Sequence, residues 1–201
     1  MSRTRSERYD DIQAGILAKA ARLFATRGYE RTSIADLVEA CQVSRGALYH
    51  YFDSKEAILF GMLDALVRGL LEQLQNAVAE GGTPRALFER VILAFVEYNA
   101  HSPDAQIILL NDLGALSEPE QEQIKRVERE IVDLVERVLA AVDDKGRMTK
   151  GDAKVHTMML ISIVNYTYAW YDADGPVTPA KYAAMTCDLF LNGFLAAPKV
   201  K

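Results

Sequence analysis

The sequence predicts an all-α protein of about nine helices. Apolar residues recur at helical spacing along almost all of the 201 residues, and no stretch shows the sustained alternation of a half-buried strand. Half of the residues are hydrophobic and 25% are charged, which is typical of a globular protein with a substantial core. This composition excludes the disordered, collagen-like and coiled-coil classes.

Three short helices are predicted before residue 53. The first runs over about 6–27, and Gly28 follows it in the position of a C-terminal stop. Ser33 is placed to cap the second helix, whose inward face carries apolar residues. The pair 42–43 leaves room only for a turn, and the third helix then follows over 44–51 with Ser44 as its cap.

Six longer helices are predicted after residue 53, most of them marked by a proline or a cap at the start. They are a fourth from Ser54 to Gly81-Gly82, a fifth from Pro84 to about His101, a sixth from Pro103, a seventh from Pro119 to before Asp143, an eighth from Asp152 to Trp170, and a ninth from Thr178-Pro179 to about Ala197. In the sixth, the continuous apolar run 107–110 predicts a segment that is buried on all sides.

The charges are distributed unevenly along the chain. Residues 1–55 hold nine Lys and Arg against seven Asp and Glu, whereas the remaining residues hold 14 against 21, and the whole chain has a net charge of −5. A mildly basic head on an acidic body is compatible with a module that reads DNA, carried by a domain with another task.

Neither the cysteines nor the apolar runs indicate secretion or a membrane. Cys41 and Cys187 lie in apolar helical surroundings and are expected to be small core residues rather than a disulfide. The N-terminus MSRTRSERYDD is polar, and the longest apolar run, 158–170, is too short to cross a bilayer. We therefore expect a cytoplasmic protein with no membrane partner.

The span 24–55 predicts a helix-turn-helix. Two short helices joined by a turn of three or four residues allow the second helix to enter the major groove of DNA. Apolar residues in the span can fix the crossing angle of the two helices. Small or hydrogen-bonding residues occupy the remaining surface of the third helix, where they can meet bases and phosphates: Ser44, Arg45, Gly46, Ala47, Tyr49 and His50.

The same span resembles the DNA-binding signature of the TetR family of bacterial transcriptional repressors. The matching features are the Gly-aromatic pair 28–29, Thr-Ser at 32–33, Val-Ser at 43–44, Leu-Tyr-His-Tyr-Phe at 48–52 and Ser-Lys-Glu at 54–56. The resemblance implies a DNA-binding domain over 1–53 and an effector-binding and dimerisation domain over 54–201, joined by the fourth helix. Gln42 stands where glycine is common, and a positive φ there would cost about 1 kcal/mol.

The resemblance also implies which residues contact DNA. Thr32 and Ser33 are expected at the phosphate backbone, as are Tyr49 and Lys55, whereas Arg45, Gly46, Ala47 and His50 are candidates for reading bases. Arg45 is the best reader, because a guanidinium can pair bidentately with guanine. Lys55 has little evident internal role beside the amino end of the fourth helix, which favours a phosphate partner.

In the body, polar and aromatic residues interrupt otherwise apolar faces, as in a pocket for a small hydrophobic effector. The candidates are Tyr98, Asn111, Asn165, Tyr166 and Trp170, each of which also fits a satisfied core residue or an interface anchor. The segment 166–194 resembles a subgroup of these repressors that govern fatty-acid or sterol breakdown and respond to acyl-CoA thioesters. Basic residues available for the nucleotide portion are Arg68, Arg85, Arg90, Lys125, Arg126 and Arg129. A body packed solid around its aliphatic residues is the alternative.

A homodimer is expected, because two heads related by a two-fold axis can read half-sites in successive major grooves. The resemblance places the interface on the eighth and ninth helices, although their apolar residues could instead close the monomer's own core. The candidates are Met158, Met159, Ile163, Tyr182, Met185, Leu189, Phe190 and Phe194.

Two other function classes remain open. One is a helical binding or carrier protein with no DNA role, and the other is a small helical enzyme. No phosphate-binding glycine loop, HExxH, CxxC or nucleophile elbow occurs in the sequence, and Glu97 with His101 is the one pair at metal-ligand spacing. We therefore expect no catalysis, no cofactor and no metal.

Overall fold

The computed structural model describes residues 5–144 and 146–196, with side chains for 9–144 and 146–193. All regular structure in these residues is helical, which confirms the all-α prediction. The α-helices are α1 Arg5–Arg27, α2 Ile34–Cys41, α3 Arg45–Tyr51, α4 Lys55–Ala79, α5 Pro84–Ala100, α6 Pro103–Asp112, α7 Glu118–Val142, α8 Ala153–Asn165 and α9 Pro179–Ala196; short 3-10 helices span Leu113–Ala115 and Tyr166–Ala169.

The chain forms two compact units, each built from two stretches of sequence. The first comprises the chain up to Leu66 together with 104–124, and the second comprises 67–103 together with the chain from Lys125 onward. Helices α4 and α7 contribute residues to both units. By compactness, the start of α4 and all but the first residue of α6 therefore belong with the three N-terminal helices. The division into 1–53 and 54–201 stays a prediction.

Side-chain caps fix the beginnings of α2, α3 and α4. Ser33 and Asp36 form a reciprocal capping box, in which the Ser33 Oγ accepts the Asp36 N–H at 3.2 Å and the carboxylate accepts the Ser33 N–H at 2.8 Å. The Ser44 Oγ accepts the Ala47 N–H at 3.1 Å, and the Ser54 Oγ accepts an N–H in the first turn of α4. The predicted caps are confirmed because each satisfies a backbone donor that the helix cannot.

The turn between α2 and α3 holds Gln42 in the left-handed region. Its φ is 57° and its ψ is 41°, and it is the one non-glycine residue of the described chain with a positive φ. The Gln42 N–H donates to the Glu39 carbonyl at 3.1 Å, and the Val43 N–H donates to the Val38 carbonyl at 3.3 Å. These bonds close the end of α2, so the positive φ is held by the turn itself.

Replacing Gln42 by glycine is expected to raise the free energy of unfolding by about 0.5–1 kcal/mol, because glycine lacks the β-carbon that disfavours this region. Urea unfolding followed by circular dichroism would measure the gain. Gln42→Ala is the control, since it keeps the β-carbon and should bring no gain. Equal stabilisation by both variants would contradict the strain argument.

The core of the second unit forms around α5, which packs against both α8 and α9. The inward face of α5 is fully buried and includes Phe88 and Phe95. Asn99, also buried, donates from Nδ2 to the Asn165 Oδ1 at 3.1 Å and to the Val164 carbonyl at 3.4 Å. These bonds satisfy a polar side chain that would otherwise destabilise the core.

Two predicted features of the helices are wrong. The eighth helix does not reach Trp170: α8 ends at Asn165 and tightens into a 3-10 turn, in which the Thr167 Oγ1 donates to the Val164 carbonyl at 2.7 Å. A threonine between two tyrosines favours this ending, because β-branched and aromatic residues are weak helix formers. The run 107–110 is also not buried on all sides, since Leu110 is 57% exposed at the outer face of α6.

Both cysteines are free and buried. Burial raises the pKa of the Cys187 thiol to about 12 and also raises that of Cys41, so both behave as inert core side chains. Separately, no helix in the described part of the chain has the length and apolar content needed to span a membrane.

Candidate nucleic-acid interface

Helix α3 is anchored by one face and exposes the other. Leu48 is 1% exposed and fixes the helix to the first unit, in which α1 packs against α2 and α2 against α3. The opposite face carries exposed residues of the kinds that bind DNA: Ser44, Arg45, Gly46, Tyr49 and His50, with Ala47 half-buried beside them. This arrangement can present a guanidinium, a phenol and an imidazole together to a groove.

Arg45 and Tyr49 lie one turn apart on this exposed face. The guanidinium carbon of Arg45 lies 5.7 Å from the centroid of the Tyr49 ring, within the range of a cation–π contact. Tyr49 is 39% exposed, so its hydroxyl remains available to a phosphate. A β-carbon on Gly46 would meet nothing within 4 Å, so the backbone is accessible between Ser44 and Arg45 on one side and Tyr49 on the other.

Three aromatic rings meet at the carboxyl end of α3. The Tyr9 ring of α1 lies 4.6 Å from that of Tyr51 and 5.9 Å from that of His50, and the His50 and Tyr51 rings lie 5.3 Å apart. Sequence reasoning missed Tyr9, because this contact joins residues that are distant in the chain. In the sequence, only the presence of a tyrosine near the start of the first helix could have indicated a contact with the helix-turn-helix.

The Thr32 side chain is engaged within the protein, and a contact of this residue with the phosphate backbone stays a prediction. Thr32 is 1% exposed, and its hydroxyl donates to the Gly28 carbonyl at 2.8 Å. The side chain therefore holds together the turn between α1 and α2. A threonine in such a turn can satisfy a carbonyl four residues earlier, and this local bond is the one that forms here.

Ser33 is exposed, but its capping partner changes the chemistry of this helix end. Asp36 accepts hydrogen bonds from the Ser33 hydroxyl and N–H, which hold the pKa of the carboxyl below its usual range. The carboxylate also contacts the Arg27 guanidinium at 3.0 Å. An anion thus already occupies the amino end of α2, where it opposes a phosphate at the same place.

Lys55 has an internal role, contrary to the sequence-based expectation. Its Nζ donates to the Tyr29 carbonyl at 3.1 Å and lies 4.1 Å from the centroid of the Tyr29 ring. The residue is half-buried, and these contacts tie the start of α4 to the turn after α1. An ammonium has three N–H donors, so one beyond the carbonyl bond and the ring contact can still meet a phosphate.

The predicted effector residues differ in burial and in their contacts. In the second unit, Tyr98 is half-buried, and its hydroxyl fills the space that a β-carbon on Gly69 would take. Asn165 accepts the hydrogen bond from Asn99, whereas Tyr166 and Trp170 are 62% and 59% exposed. These four side chains of the second unit therefore do not share one lining.

Asn111 belongs to the first unit and is exposed. Its Nδ2 donates to the Ile107 carbonyl at 2.9 Å, one turn earlier in α6. The amide thus has a partner within its own helix. Nothing in the described contacts sets it apart as a ligand contact.

The second unit contains a cavity of about 390 Å³ among α4, α5 and α7. Its walls are largely aliphatic, with charged residues also in the lining. Leu71, Val78, Leu87, Leu134 and Val138 form the apolar part, and Glu130, Asp133 and Arg137 supply the charges. None of the predicted effector residues lines it. Sequence reasoning missed these positions because apolar residues at helical spacing look the same whether they face a core or a cavity.

Two of the candidate arginines are engaged in internal contacts. Arg90 donates to the carbonyls of Ala77 and Gly81, both at 2.9 Å, and so caps the end of α4. Arg85 pairs with Glu89 at 2.8 Å and with Asp188 at 3.3 Å. The other four basic candidates, Arg68, Lys125, Arg126 and Arg129, are exposed.

Helices α8 and α9 expose apolar side chains. We call these residues the α8/α9 face: Val155, Met158, Met159, Met185 and Leu189, which are between 43% and 72% exposed. Ile163, Tyr182 and Phe190 are half-buried, and the Tyr182 hydroxyl donates to the Ile163 carbonyl at 2.9 Å. The side chain of Phe194 lies outside the described residues. Val155 was missed, although its spacing of three and four from the methionines was a usable signal.

Glu97 and His101 are not arranged as metal ligands. The His101 Nδ1 lies 2.6 Å from the backbone carbonyl oxygen of Glu97, so one ring nitrogen is engaged within the helix end. Across the residues that the structure describes, no group of three or more His, Cys, Asp or Glu side chains could hold a metal ion.

Comparison with known proteins covers both parts of the chain. Residues 16–62 match the family described as bacterial regulatory proteins, tetR family, and residues 81–194 match the tetracyclin repressor-like C-terminal domain. The HTH-type transcriptional repressor KstR2 of Rhodococcus jostii is 31% identical over 189 residues, or 91% of this chain and 90% of that protein.

Two solved structures extend the likeness to the fold. A TetR-family transcriptional regulator from Bordetella parapertussis is 36% identical, has a TM-score of 0.85, and is matched over 94% of this chain and 98% of its own. The regulator PfmR from Thermus thermophilus is 28% identical, with a TM-score of 0.79 over 88% and 97% of the two chains.

Proposed function

This chain belongs to the TetR family of bacterial transcriptional regulators, and on that premise we propose that its α3 reads a palindromic operator from which a small hydrophobic effector releases it. It is a ligand-responsive DNA-binding repressor and not an enzyme. The observation that carries the proposal is the exposed face of α3, where Arg45, Tyr49 and His50 are accessible while the buried Leu48 anchors the helix.

Within the proposed interface, Arg45 has the strongest case as the base reader. It is the first residue of α3, is exposed, and lies against Tyr49 in a contact that restrains its long side chain. A restrained guanidinium loses less conformational entropy when it pairs with guanine O6 and N7. Gly46 and Ala47 are small enough to let the backbone approach the bases beside it.

Phosphate contacts are assigned to Tyr49, Lys55 and Ser33. The Tyr49 hydroxyl is accessible, and the Lys55 ammonium has a further donor beyond its contacts with the Tyr29 carbonyl and ring. Ser33 is the weakest of the three, because its hydroxyl and N–H are bonded to Asp36. These contacts position the head on the duplex and add affinity that depends on salt, without choosing a sequence.

Assembly as a homodimer through the α8/α9 face completes the proposal. Large exposed apolar patches on a protein mark interaction sites, and four apolar residues of this face are more than half exposed. A two-fold related pair would present two α3 helices to half-sites about 34–36 Å apart. A single head would offer too few phosphate contacts for tight binding.

The proposed effector is an acyl-CoA thioester. The second unit is rich in long aliphatic side chains and contains a cavity whose walls are largely aliphatic, and each acyl methylene buried against them would contribute about 0.8 kcal/mol. Lys125 and Arg126 of α7 are exposed cations that could meet the nucleotide portion. Release requires that the ligand bind more tightly to a conformation whose heads no longer fit the operator.

Arg45→Ala is expected to cost about 1–3 kcal/mol at the preferred site and to relax preference at one position of each half-site. Fluorescence anisotropy with the operator and its single-base variants would measure both effects. Lys55→Ala is the contrast, since it should weaken binding to all sequences alike and lower the salt slope by about one. Unchanged discrimination by the Arg45 variant at every position would refute the assignment.

The effector is tested by titrating ligands against the protein–operator complex. Fatty acyl-CoAs and sterol-derived CoA thioesters should release the DNA, whereas free CoA should not, because it lacks the chain that the apolar walls would bury. Release by cationic aromatic drugs together with indifference to every thioester would reject the lipid effector and leave the operator-binding function intact.

A further inference from the structure

The cluster of Tyr9, His50 and Tyr51 lies at the exposed end of α3 and is not accounted for by the packing of the head. Tyr9 is 36% exposed and His50 is also exposed, so neither is a core residue. All three ring pairs have centroids within 6 Å, inside the range of aromatic contacts. The cluster joins the start of α1 to the face of α3 that is proposed to meet DNA.

The geometry restrains the plane of the imidazole. Tyr9 and Tyr51 lie with their rings tilted at 37°, and the His50 ring stands nearly perpendicular to both, at 82° to Tyr9 and 77° to Tyr51. Edge-to-face contacts of this kind are favourable for aromatic rings. With a tyrosine from each of two helices against it, the imidazole has fewer orientations than an isolated histidine on a helix surface.

The ring nitrogens of His50 have no hydrogen-bond partner within the part of the chain that the structure describes. Among the hydrogen bonds and ion pairs of the described residues, none involves either His50 ring nitrogen, and the contacts to the two tyrosines are through rings. An oriented ring with unoccupied donor and acceptor positions loses less entropy on binding a base edge or a phosphate. The cluster therefore pre-organises a polar group toward the position of the DNA.

Resting on the proposed operator binding, we infer that Tyr9 is a positioning residue that sets how His50 reads the operator. Helix α1 thereby takes part in recognition without itself meeting a base. Tyr51 holds the other side of the imidazole but follows it directly in α3, so Tyr9 is the partner that can be changed with least effect on α3.

The test combines Tyr9→Ala, Tyr9→Phe, His50→Ala and the double variant Tyr9→Ala/His50→Ala, each titrated with the operator and its single-base variants. Tyr9→Ala should weaken operator binding about three- to tenfold, the range of one aromatic contact. Tyr9→Ala should cause no further loss of affinity when His50 is already alanine. Tyr9→Ala and His50→Ala should also relax the preference at the same base position of the operator. Tyr9→Phe keeps the ring and should bind like the wild type.

The wild type is titrated first, because its failure to bind any DNA would overturn the operator-binding proposal itself. When the wild type binds, equal losses from Tyr9→Ala with and without His50 would overturn the role of Tyr9 alone. That role is also overturned if Tyr9→Phe binds as weakly as Tyr9→Ala, or if Tyr9→Ala has no effect. Urea unfolding of Tyr9→Ala checks that the head remains folded, and the base-specific pattern is a readout that a loss of stability would not produce.

Discussion

Replacing Leu189 by arginine is expected to convert the protein from a dimer to a monomer and to weaken operator binding at least about 100-fold. Leu189 is 72% exposed, so the arginine costs little within one chain. In a dimer formed through the α8/α9 face, the same arginine would be buried without a partner, at a cost of several kcal/mol. The loss in DNA affinity follows because two linked heads bind about 10²–10⁴-fold more tightly than one.

Light scattering at micromolar concentration measures whether the variant is a monomer. Titration with the operator measures the loss in DNA affinity. Asn76→Arg is the matched control, because it adds the same charge at an exposed position of α4, which is not one of the residues of the α8/α9 face. A dimeric Leu189→Arg protein, or a wild type that is monomeric, would remove α8 and α9 as the proposed interface.

Leu48→Ala is expected to destabilise the protein by about 2–5 kcal/mol, since a fully buried leucine is truncated and a cavity is left. Leu48 is the one buried residue of α3. A helix of seven residues has no stability of its own in water, so α3 should lose its fixed orientation and operator binding should fall with it.

Tyr49→Ala separates the loss of DNA binding from the loss of stability that Leu48→Ala combines. Tyr49 is exposed on the same helix, so its truncation should change the free energy of unfolding by less than about 0.5 kcal/mol and still weaken DNA binding. Urea unfolding and operator titration of both variants give the comparison. If Leu48→Ala unfolds with the free energy of the wild type, the anchoring of α3 through Leu48 is wrong.

The features that the sequence predicts well are set by neighbouring residues. Ser33, Ser44 and Ser54 cap helices because each side chain accepts the backbone N–H three residues later. The left-handed conformation of Gln42 was indicated by the resemblance, in which glycine is common at this place, and the bonds that close the turn join residues no more than five positions apart. Such local chemistry is visible in a single sequence.

The features that the sequence does not predict depend on distant partners. Lys55 lies against Tyr29, 26 residues away, and therefore has an internal role that its position at the start of α4 does not reveal. The contact of Tyr9 with His50 is of the same kind. Thr32 is different, because its bond to Gly28 is local, whereas the resemblance to a DNA-binding signature predicts a phosphate partner.

Aromatic and apolar residues of the body show a second reason why some sequence-based predictions are wrong. Tyr166 and Trp170 are residue types that are common in ligand pockets, yet both are more than half exposed in the single chain. Periodicity indicates that a helix has an apolar face but not whether that face meets a core, a ligand or a second subunit. For the same reason, the sequence does not predict which residues line the cavity among α4, α5 and α7.

The most direct test of operator recognition by α3 is a salt-dependent titration of the full chain with the DNA upstream of its own gene. We expect one discrete complex on a palindromic site, an affinity that falls at least about 100-fold between 50 and 200 mM salt, and a marked excess over unrelated DNA. Arg45→Ala should reduce that excess while keeping most of the salt dependence. Equal affinity of the wild type for the upstream region and for unrelated DNA at every salt concentration would contradict recognition of that operator by α3.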